Sequence, residues 1–475
     1  MALEGLSEAV SSGSVVTQPE ILGGYGAGDS VKGVMPDAVV FPEDVEEVSK
    51  VALWARQAGM KLMPVSSAGP HRSAVVLSEG YVVADLSHMK KIVRADRRNR
   101  VALIEAGVTF SELDEALSKV GLRAMTPLAR RKGKSVVATY LDRTPTLVPR
   151  AQWDLADPLL CIEVVMGSGT VFRTGCSAGP GTLEEQWATG QAQKNPMGPS
   201  AFDYFRLVQG SRGSMGIVTW ASMKCELRPV EHELFMVPSA GLDPLIESVY
   251  WTSRAKWGEE CLLLDNVAVE RLTGISGAPA WTLLIGVAGF DYRLAQRVAY
   301  QSKGIGAILR EEGVKPVRSL AGIGSRRMLE AISSESDPYW KDAEGHHTYV
   351  YFLTTLDRAG EFAEVVESTC EERGWPRQQA CVYVQPQLGG RVCHFEVTVF
   401  FEDAATEQAH AFTRALAEAL AASGAYLSRP AGDWCDLAYK DKPLLVETLK
   451  RTKKTFDPDY ILNPDALCFS GRTSV

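Results

Sequence analysis

Three glycines recur at every third position in one short loop, at Gly210, Gly213 and Gly216. Because glycine has no Cβ, such a loop leaves a run of backbone N–H groups that a pyrophosphate can approach closely. The loop leads into the apolar, strand-like run 217–220, whereas a Rossmann fingerprint opens a helix and a P-loop continues into Gly-Lys-Ser or Gly-Lys-Thr. It is therefore either a phosphate-binding loop of another kind or a glycine-rich turn between core elements.

Polar side chains that could act on a small molecule lie further along the chain. In the run 393–401, the two-residue period of a strand puts His394, Glu396 and Thr398 on one face, which either lines a cavity or faces solvent. Arg429 carries a planar fork of donors that suits a phenolate or a carboxylate, although an isolated arginine more often forms a surface salt bridge. Four aromatic residues form either a cage around a ligand or part of the core: Tyr349, Tyr351, Tyr383 and Trp434.

The composition limits the class of protein. The 475 residues include 50 Lys and Arg against 58 Asp and Glu, and a net charge of −8 argues against a nucleic-acid surface or an anionic membrane as the main partner. Nine cysteines without a Cys-x-x-Cys pair argue against a disulfide framework, a zinc site or an iron–sulfur cluster, so no metal is predicted. With no visible secretory signal and no apolar run of about 20 residues, we expect a cytoplasmic protein of two or three domains without a membrane span.

The elements that must position these residues fall into two groups. Up to about residue 230, short strands alternate with helices, and Thr109 with Glu112 forms a capping box for a helix that ends at Gly121. The predicted strands and helices of this half are a strand at 36–42, a helix at 43–59, strands at 61–65, 81–86 and 100–105, and a hairpin of 159–165 with 170–174. The first three form a β-α-β unit that leads into the loop 66–72, where a ligand-facing loop is typical of an α/β sheet.

From about residue 231 the pattern changes to strands that alternate with longer helices, which is typical of a separate α+β domain with an antiparallel sheet. The predicted helices lie near 242–254, 291–312, 358–373 and 404–423. The predicted strands lie near 261–268, 281–287, 348–354, 380–385 and 393–401.

Six segments in order resemble the vanillyl-alcohol oxidase and p-cresol methylhydroxylase (PCMH) superfamily of FAD flavoproteins. Residues 210–219 are similar to its Gly-Ser-x-Gly-x-x-Gly-Ile-Val-Thr segment. The other similar segments are the opening strand and helix at 36–48, the loop at 64–71, the stretch 101–117, the strand pair 161–175 and the closing motif 456–464.

The resemblance implies an α+β fold. It consists of a PCMH-type FAD-binding domain of two α/β subdomains, plus an α+β cap domain with an antiparallel sheet. The implied boundaries are an N-terminal arm at 1–35, the FAD-binding domain at 36–230, the cap or substrate domain at 231–425, and a C-terminal segment at 426–475 that returns to the FAD domain.

FAD is the cofactor that the resemblance implies. The first loop departs from the family, since Gly69 and Pro70 stand where Gly-Gly is usual. His71 falls where the berberine-bridge branch attaches FAD covalently, and it could equally donate a hydrogen bond. The residues assigned to FAD are Pro64, Ser66, Ser67, Ala68, Gly69, Pro70, His71, Ser135, Val136, Ala138, Asp142, Arg143, Gly210, Gly213, Ser214, Gly216, Ile217 and Val218.

The candidate catalytic residues also follow from the resemblance. The catalytic acid of the p-cresol branch would fall near Gln152, with Asp154 two residues on. If Gln152 replaces the acid, the role of base passes to His394, Glu396 or Asp154, or the substrate needs no base. The Glu-His-Gly motif of the glycolate and D-lactate branch is absent from the sequence. The corresponding segment is closer to the one where the p-cresol branch places an arginine against a phenolate, here Arg429.

The implied activity is that of an FAD-dependent oxidoreductase, a dehydrogenase or oxidase. It would take a hydride from a hydroxylated or para-alkyl phenolic small molecule to flavin N5. Two alternatives stay open: a 2-hydroxy-acid dehydrogenase subunit of the glycolate or D-lactate type, and a flavin-binding electron-relay subunit with little activity alone. The implied partners are the substrate and an electron acceptor, which could be oxygen, a cytochrome, a quinone or an iron–sulfur protein. A homodimer or a hetero-oligomer is compatible with the sequence.

Overall fold

The chain folds into three main sheets with helices packed on them. A computed structural model describes residues 3–25, 34–69, 71, 78–150, 157–189, 203–290 and 294–469. The strands are β1 (Val15–Val16), β2 (Ala38–Val40), β3 (Lys61–Val65), β4 (Tyr81–Asp85), β5 (Ile92–Asp96), β6 (Val101–Glu105), β7 (Leu122–Arg123), β8 (Leu159–Val165), β9 (Val171–Arg173), β10 (Ile217–Lys224), β11 (Glu226–Leu227), β12 (Glu231–Ser239), β13 (Cys261–Asp265), β14 (Trp281–Gly289), β15 (Ser319–Leu320), β16 (Ile323–Gly324), β17 (His346–Thr354), β18 (Ala380–Gln387) and β19 (Val392–Phe401). The helices are α1 (Leu6–Ala9), α2 (Pro19–Leu22), α3 (Val45–Ala58), α4 (Phe110–Ser118), α5 (Val136–Leu141), α6 (Leu183–Ala188), α7 (Phe205–Val208), α8 (Asp243–Arg254), α9 (Asn266–Thr273), α10 (Leu294–Glu311), α11 (Ser325–Ser333), α12 (Ala359–Arg373), α13 (Thr406–Ala422) and α14 (Pro443–Phe456).

The first half of the chain forms two sheets that share one layered body. In the first sheet, of order β1-β2-β4-β3, strand β4 pairs in parallel with both β2 and β3. The second sheet is antiparallel, of order β5-β6-β10-β8-β9. Helix α3 ends at Gly59 in the left-handed conformation and leads directly into β3. The loop after β3 therefore starts at the carboxyl end of a parallel strand, where ligands bind in α/β sheets.

The second half forms one large antiparallel sheet, of order β12-β14-β13-β18-β19-β17. Helices α8, α10, α12 and α13 pack on one face of this sheet. Helices α9 and α11 pack on the other face, in a cluster that also holds Leu128 and Leu147 from the first half. The apolar cores of the two halves thus meet on this second face.

The predicted α+β class is confirmed, with an antiparallel sheet in the second half of the chain. The predicted capping box of Thr109 and Glu112 is also confirmed. The strand predicted at 261–268 ends instead at Asp265, because the Asp265 carboxylate caps helix α9 by accepting from the Ala268 N–H at 2.8 Å. Strand β12 and helix α14 were not predicted. Among the described residues, no helix has both the length and the apolar character needed to cross a bilayer.

The segment after α14 ties the carboxyl terminus to the first sheet and to the glycine loop. The Lys453 ammonium is fully buried and donates at 2.7 Å to each of three acceptors: the Asp457 carboxylate, the Ser214 carbonyl and the Leu462 carbonyl. All three donors of the ammonium are therefore satisfied. Burial lowers the pKa of Lys453, while Asp457 acts in the opposite direction.

Asn463 completes this connection. Its side-chain amide donates to the Arg212 carbonyl at 2.7 Å, and its backbone N–H donates to the Leu62 carbonyl of β3 at 2.7 Å. One short segment therefore holds the glycine loop and strand β3 in fixed relation.

We expect Lys453→Met to destabilise the protein by about 3–5 kcal/mol, because it leaves the Asp457 carboxylate buried without its cation. The free energy of unfolding in urea measures the effect, and the exposed neighbour provides the control, since Lys454→Met should change it by less than about 0.5 kcal/mol. Equal stability of the two variants would contradict a role for the buried pair.

Candidate active site

A cavity of about 330 Å³ lies where the two halves of the chain meet. On the side of the first half it is lined by the loop after β3, by the end of α5 and by the glycine loop. On the other side it is lined by β17, by β19 and by the segment before β17. Elements that are far apart in sequence therefore form its two walls.

The glycine loop adopts a conformation that other residues rarely take. Gly210 and Gly213 have φ of 77° and 74°, and a Cβ on Gly213 would overlap the Pro64 ring. A Cβ on Gly216 would overlap Val164 of β8. The loop can therefore lie against β3 and β8 only because these positions carry no side chain.

The charges of the lining suit an anionic ligand. Its described residues include two carboxylates, Asp142 and Glu396. The cationic side chains are more numerous: Arg130, Arg131, Lys134, Arg212, Lys341 and Arg429. Such an excess of positive charge favours a diphosphate or another anion.

Basic residues also fix the first loop. Arg131 donates to the carbonyls of Ala68, at 2.6 Å, and of Gly69. The Ser135 N–H donates to the Ser67 hydroxyl at 3.0 Å, which connects the loop after β3 to the start of α5. Lys134 lies 3.6 Å from the Asp142 carboxylate. Backbone N–H groups and positive charge around this cavity together fit the diphosphate of FAD.

Many of the residues assigned to FAD from the sequence line the cavity: Pro64, Ser66, Ser67, His71, Ala138, Asp142, Gly210, Gly213, Gly216 and Val218. Others adjoin it without lining it: Ala68, Gly69, Ser135, Val136, Arg143, Ser214 and Ile217. The Ser135 hydroxyl, for example, donates to the Ala106 carbonyl at 2.6 Å and caps α5. Pro70 lies outside the described residues, as do Gln152 and Asp154.

His71 lies in the cavity wall against an aromatic neighbour. Its ring stacks on Tyr25 with a centroid separation of 4.2 Å, and the Tyr25 hydroxyl donates to the Asp85 carboxylate at 2.5 Å. Burial lowers the pKa of His71, and Asp85 opposes this effect. The imidazole is therefore mainly neutral at pH 7, so that one ring nitrogen can donate a hydrogen bond while the other can accept one or act as a nucleophile.

Arg429 reaches the cavity from the C-terminal segment. The backbone of Tyr426 exchanges hydrogen bonds with Leu353 of β17, which carries this segment to the sheet. The Arg429 guanidinium lies 4.0 Å over the Tyr351 ring and donates to the Asp142 carbonyl at 3.3 Å. Within the described part of the chain, no carboxylate lies within salt-bridge distance of it. Arg429 is thus available to an anionic ligand.

His394 and Glu396 lie on the same face of β19, as their spacing predicts. His394 Nε2 is 3.1 Å from a Glu396 oxygen, and the other Glu396 oxygen pairs with Lys341. Glu396 and Lys341 line the cavity, whereas His394 lies behind its wall with an exposed fraction of 2%. Of the aromatic candidates, Tyr349 and Tyr351 line the cavity and stack on each other, while Tyr383 and Trp434 do not line it.

The protonation states of this group follow from its burial and its charges. Burial lowers the pKa of His394 to about 4, and the hydrogen bond to Glu396 offsets this only in part. Burial alone would raise the pKa of Glu396, but Lys341 and His394 hold it well below its ordinary value. At pH 7 the group consists of a neutral imidazole between a carboxylate and a guanidinium.

The lining residues without an assignment from the sequence include four polar ones: Arg131, Arg212, Tyr339 and Lys341. Arg131 belongs to the basic cluster 130–134, and Arg212 stands inside the glycine loop itself, so both carried a local signal. Tyr339 and Lys341 lie in a segment without periodicity, and only the folded chain brings them to β19.

Comparison with known proteins agrees with this geometry. Residues 36–175 match a family model described as an FAD-binding domain, and residues 259–467 match one described as the C-terminal domain of FAD-linked oxidases. The fold is similar to that of p-cresol methylhydroxylase, with a TM-score of 0.83 and 17% identity over 99% of this chain and 96% of the other. The two models together cover most of the chain, which is an FAD-linked oxidase with the fold of p-cresol methylhydroxylase. It is an FAD-dependent oxidoreductase.

Two relatives in sequence are named for substrates other than p-cresol. The chain is 23% identical to a mitochondrial D-lactate dehydrogenase (cytochrome) of Arabidopsis thaliana, over 91% of this chain and 73% of the relative. It is 24% identical to a D-2-hydroxyglutarate dehydrogenase of Stutzerimonas stutzeri, over 51% of this chain and 49% of the relative. These similarities and the shared fold agree on FAD and differ in the substrates they name.

We expect Gly213→Ala to weaken FAD binding by roughly tenfold or more, because a Cβ at this φ costs about 1–2 kcal/mol before its overlap with Pro64 is counted. Titration of the FAD-free protein with FAD, followed by flavin fluorescence, measures the affinity. Gly241→Ala is the matched control, since a Cβ there meets open space. Unchanged affinity in both variants would show that FAD does not depend on the conformation of this loop.

Proposed function

We propose that this FAD-linked oxidase takes a hydride from a hydroxylated or para-alkyl phenolic molecule, bound as its phenolate. When bound, FAD supplies the flavin ring that accepts the hydride. The observation that carries the proposal is the Arg429 guanidinium, which faces the cavity beside Tyr351 with no carboxylate partner in the described part of the chain.

The cavity wall supports an aromatic substrate. Tyr349 and Tyr351 stack with a centroid separation of 5.2 Å, and both line the cavity. Arg212 donates to the Tyr351 hydroxyl at 3.3 Å and fixes this ring from the glycine-loop side. A planar substrate gains offset stacking or edge contacts against such a wall, while its phenolate accepts from Arg429.

The protein residues have distinct roles in this proposal. Arg429 binds the anion, the tyrosines orient the ring, and the loops after β3 and at 210–216 hold FAD. Glu396 stays ionised next to Lys341, so it is a poor proton acceptor at neutral pH. A substrate that already reacts as a phenolate needs no strong base, because its negative charge promotes loss of the hydride.

A 2-hydroxy acid is the second candidate substrate. The similarity to the D-lactate dehydrogenase over 91% of this chain favours it, and Arg429 could bind a carboxylate as well as a phenolate. In that case the substrate carbon would carry the hydroxyl group and the aromatic wall would have no stacking partner.

An anaerobic panel of substrates separates these candidates. We expect 4-alkylphenols or 4-hydroxybenzyl alcohols to bleach the flavin absorbance, and D-lactate and D-2-hydroxyglutarate to leave it unchanged. Bleaching by the hydroxy acids alone would replace the proposal with the second candidate. A flavin that no phenol, alcohol or hydroxy acid bleaches would instead support an electron-relay subunit with little activity alone. Artificial electron acceptors then test reoxidation of the flavin.

We expect Arg429→Met to lower kcat/KM for a phenolic substrate by roughly 10- to 100-fold, the usual size of a lost charge-assisted hydrogen bond. Steady-state kinetics measure the effect, and the FAD content of the purified variant should remain that of the wild type. Arg326→Met serves as the control, because Arg326 is exposed and, among the residues that the structure describes, pairs only with Glu330 on its own helix. An unchanged kcat/KM in Arg429→Met would remove Arg429 from the substrate site.

A further inference from the structure

We propose that His394 is a positioning residue, which holds the Arg429 guanidinium for the substrate anion and is itself fixed by Glu396 and Lys341. The inference rests on the proposed function, in which Arg429 binds the anion. It concerns four side chains that form one continuous line of contacts along the cavity wall.

The four side chains follow one another in the order Arg429, His394, Glu396 and Lys341. Arg429 Nη2 lies 3.5 Å from His394 Nδ1, His394 Nε2 lies 3.1 Å from a Glu396 oxygen, and the second Glu396 oxygen pairs with the Lys341 ammonium. Thr398 also donates to Glu396, at 3.2 Å. His394 and Glu396, the two middle groups, therefore each have a neighbour of complementary hydrogen-bonding character on either side.

The chemistry of the partners fixes the tautomer of His394. An ionised carboxylate can only accept, so Nε2 must carry the proton that points to Glu396. Nδ1 then has a free lone pair, which faces the guanidinium of Arg429, a group that can only donate. The 3.5 Å separation is long for a hydrogen bond, as is common in sites that tighten when the ligand binds.

Backbone pairing on both edges of β19 fixes the position of His394. Strand β19 is paired on both edges, with β17 and with β18, and His394 lies opposite Leu353 and Gln385. Glu396 lies opposite Tyr351, the ring on which Arg429 rests. A side chain on a doubly paired strand is better fixed than one on the C-terminal segment that carries Arg429.

Protonation of His394 would remove its contact with Arg429. Nδ1–H would then face the Arg429 donors, and a second positive charge would lie next to the guanidinium. Burial, with Arg429 and Lys341 acting in the same direction, keeps the pKa of His394 low. The titratable and charged groups that face His394 from its own strand and from its neighbours are Glu396, Arg429, Lys341, Tyr351 and Tyr383.

The position of His394 excludes direct contact with the substrate. Its side chain is 2% exposed and does not line the cavity, whereas Glu396, Lys341 and Arg429 do. A base would need to reach the substrate proton. His394 therefore acts through Arg429.

Two conservative variants distinguish the roles of the two ring nitrogens. In His394→Asn the amide oxygen can take the place of Nδ1 and still accept from Arg429. In His394→Gln the amide nitrogen can take the place of Nε2 and still donate to Glu396, but no acceptor faces Arg429. A purely structural role would depend on filling the buried space, and glutamine fills more of it than asparagine.

We expect His394→Gln to raise KM for the phenolic substrate by roughly tenfold with kcat changed by less than about threefold, and His394→Asn to raise KM by less than about threefold. Both variants should retain FAD. In the wild type, KM should stay flat above about pH 5 and rise below it, as His394 takes up a proton. The reverse order of the two variants, or equal effects, would overturn the positioning role.

A second measurement does not need a substrate. In the ¹⁵N-histidine spectrum of the holoenzyme, with the His394 signals assigned from their loss in His394→Asn, we expect the Nε2–H tautomer at pH 6–8. The Nδ1 signal should shift downfield in Arg429→Met, because its donor is removed. An Nδ1–H tautomer, or a signal indifferent to Arg429→Met, would overturn the inference. If the spectrum agrees and no phenol bleaches the flavin, the proposed substrate is wrong and the line of contacts stands.

Discussion

The buried ammonium of Lys453 is the contact on which the site depends most. It joins the carboxyl-terminal segment to the carbonyl of Ser214 in the glycine loop, and the same segment bonds to Leu62 of β3. The two loops that face the cavity follow β3 and precede β10, so their separation is set by this one segment. A buried cation with three acceptors, one of them a carboxylate, has little freedom to move. The cofactor loops are therefore rigid because residues more than 200 positions away hold them.

Buried ion pairs also connect the two halves of the chain. Glu259 and Glu260 are buried next to each other in the second half, and Arg123 of β7 pairs with both, at 3.0 and 3.3 Å. Arg150 adds a further contact with Glu259 at 3.1 Å. These cations of the first half add to contacts within the second half, where Arg297 lies 3.5 Å from Glu259 and His232 lies 2.6 Å from Glu260. The cavity lies along the same junction, which links its shape to this ion network.

The sequence was sufficient for the fold class and for FAD, because both are carried by short segments whose patterns can be recognised locally. A strand that runs into small residues, a capping box and a glycine repeat each have a short-range physical cause. No local pattern predicts the line of side-chain contacts from Arg429 to Lys341. Its members come from β19, from the C-terminal segment and from an irregular segment before β17. Glu396 and His394 could be paired from their period-two spacing, but only the folded chain shows that Lys341 and Arg429 lie at opposite ends of them. Asp265 illustrates the reverse case, in which an N-cap ended a strand that hydrophobicity alone would have continued.

The electrostatics of the cavity suit both the anionic diphosphate of FAD and the phenolate that we propose as the substrate. Six cationic side chains and two carboxylates line the cavity, so its lining is positive overall. Two of the cations already have a carboxylate nearby, since Lys341 pairs with Glu396 and Lys134 lies near Asp142. Cationic side chains lie on both sides of the cavity, with Arg131 near the first loop and Arg429 and Arg212 near the tyrosines. A diphosphate and a phenolate could then each find its own cation without competing for one. Since Arg429 is supported by a neutral imidazole rather than by a carboxylate, its full charge stays available to the ligand.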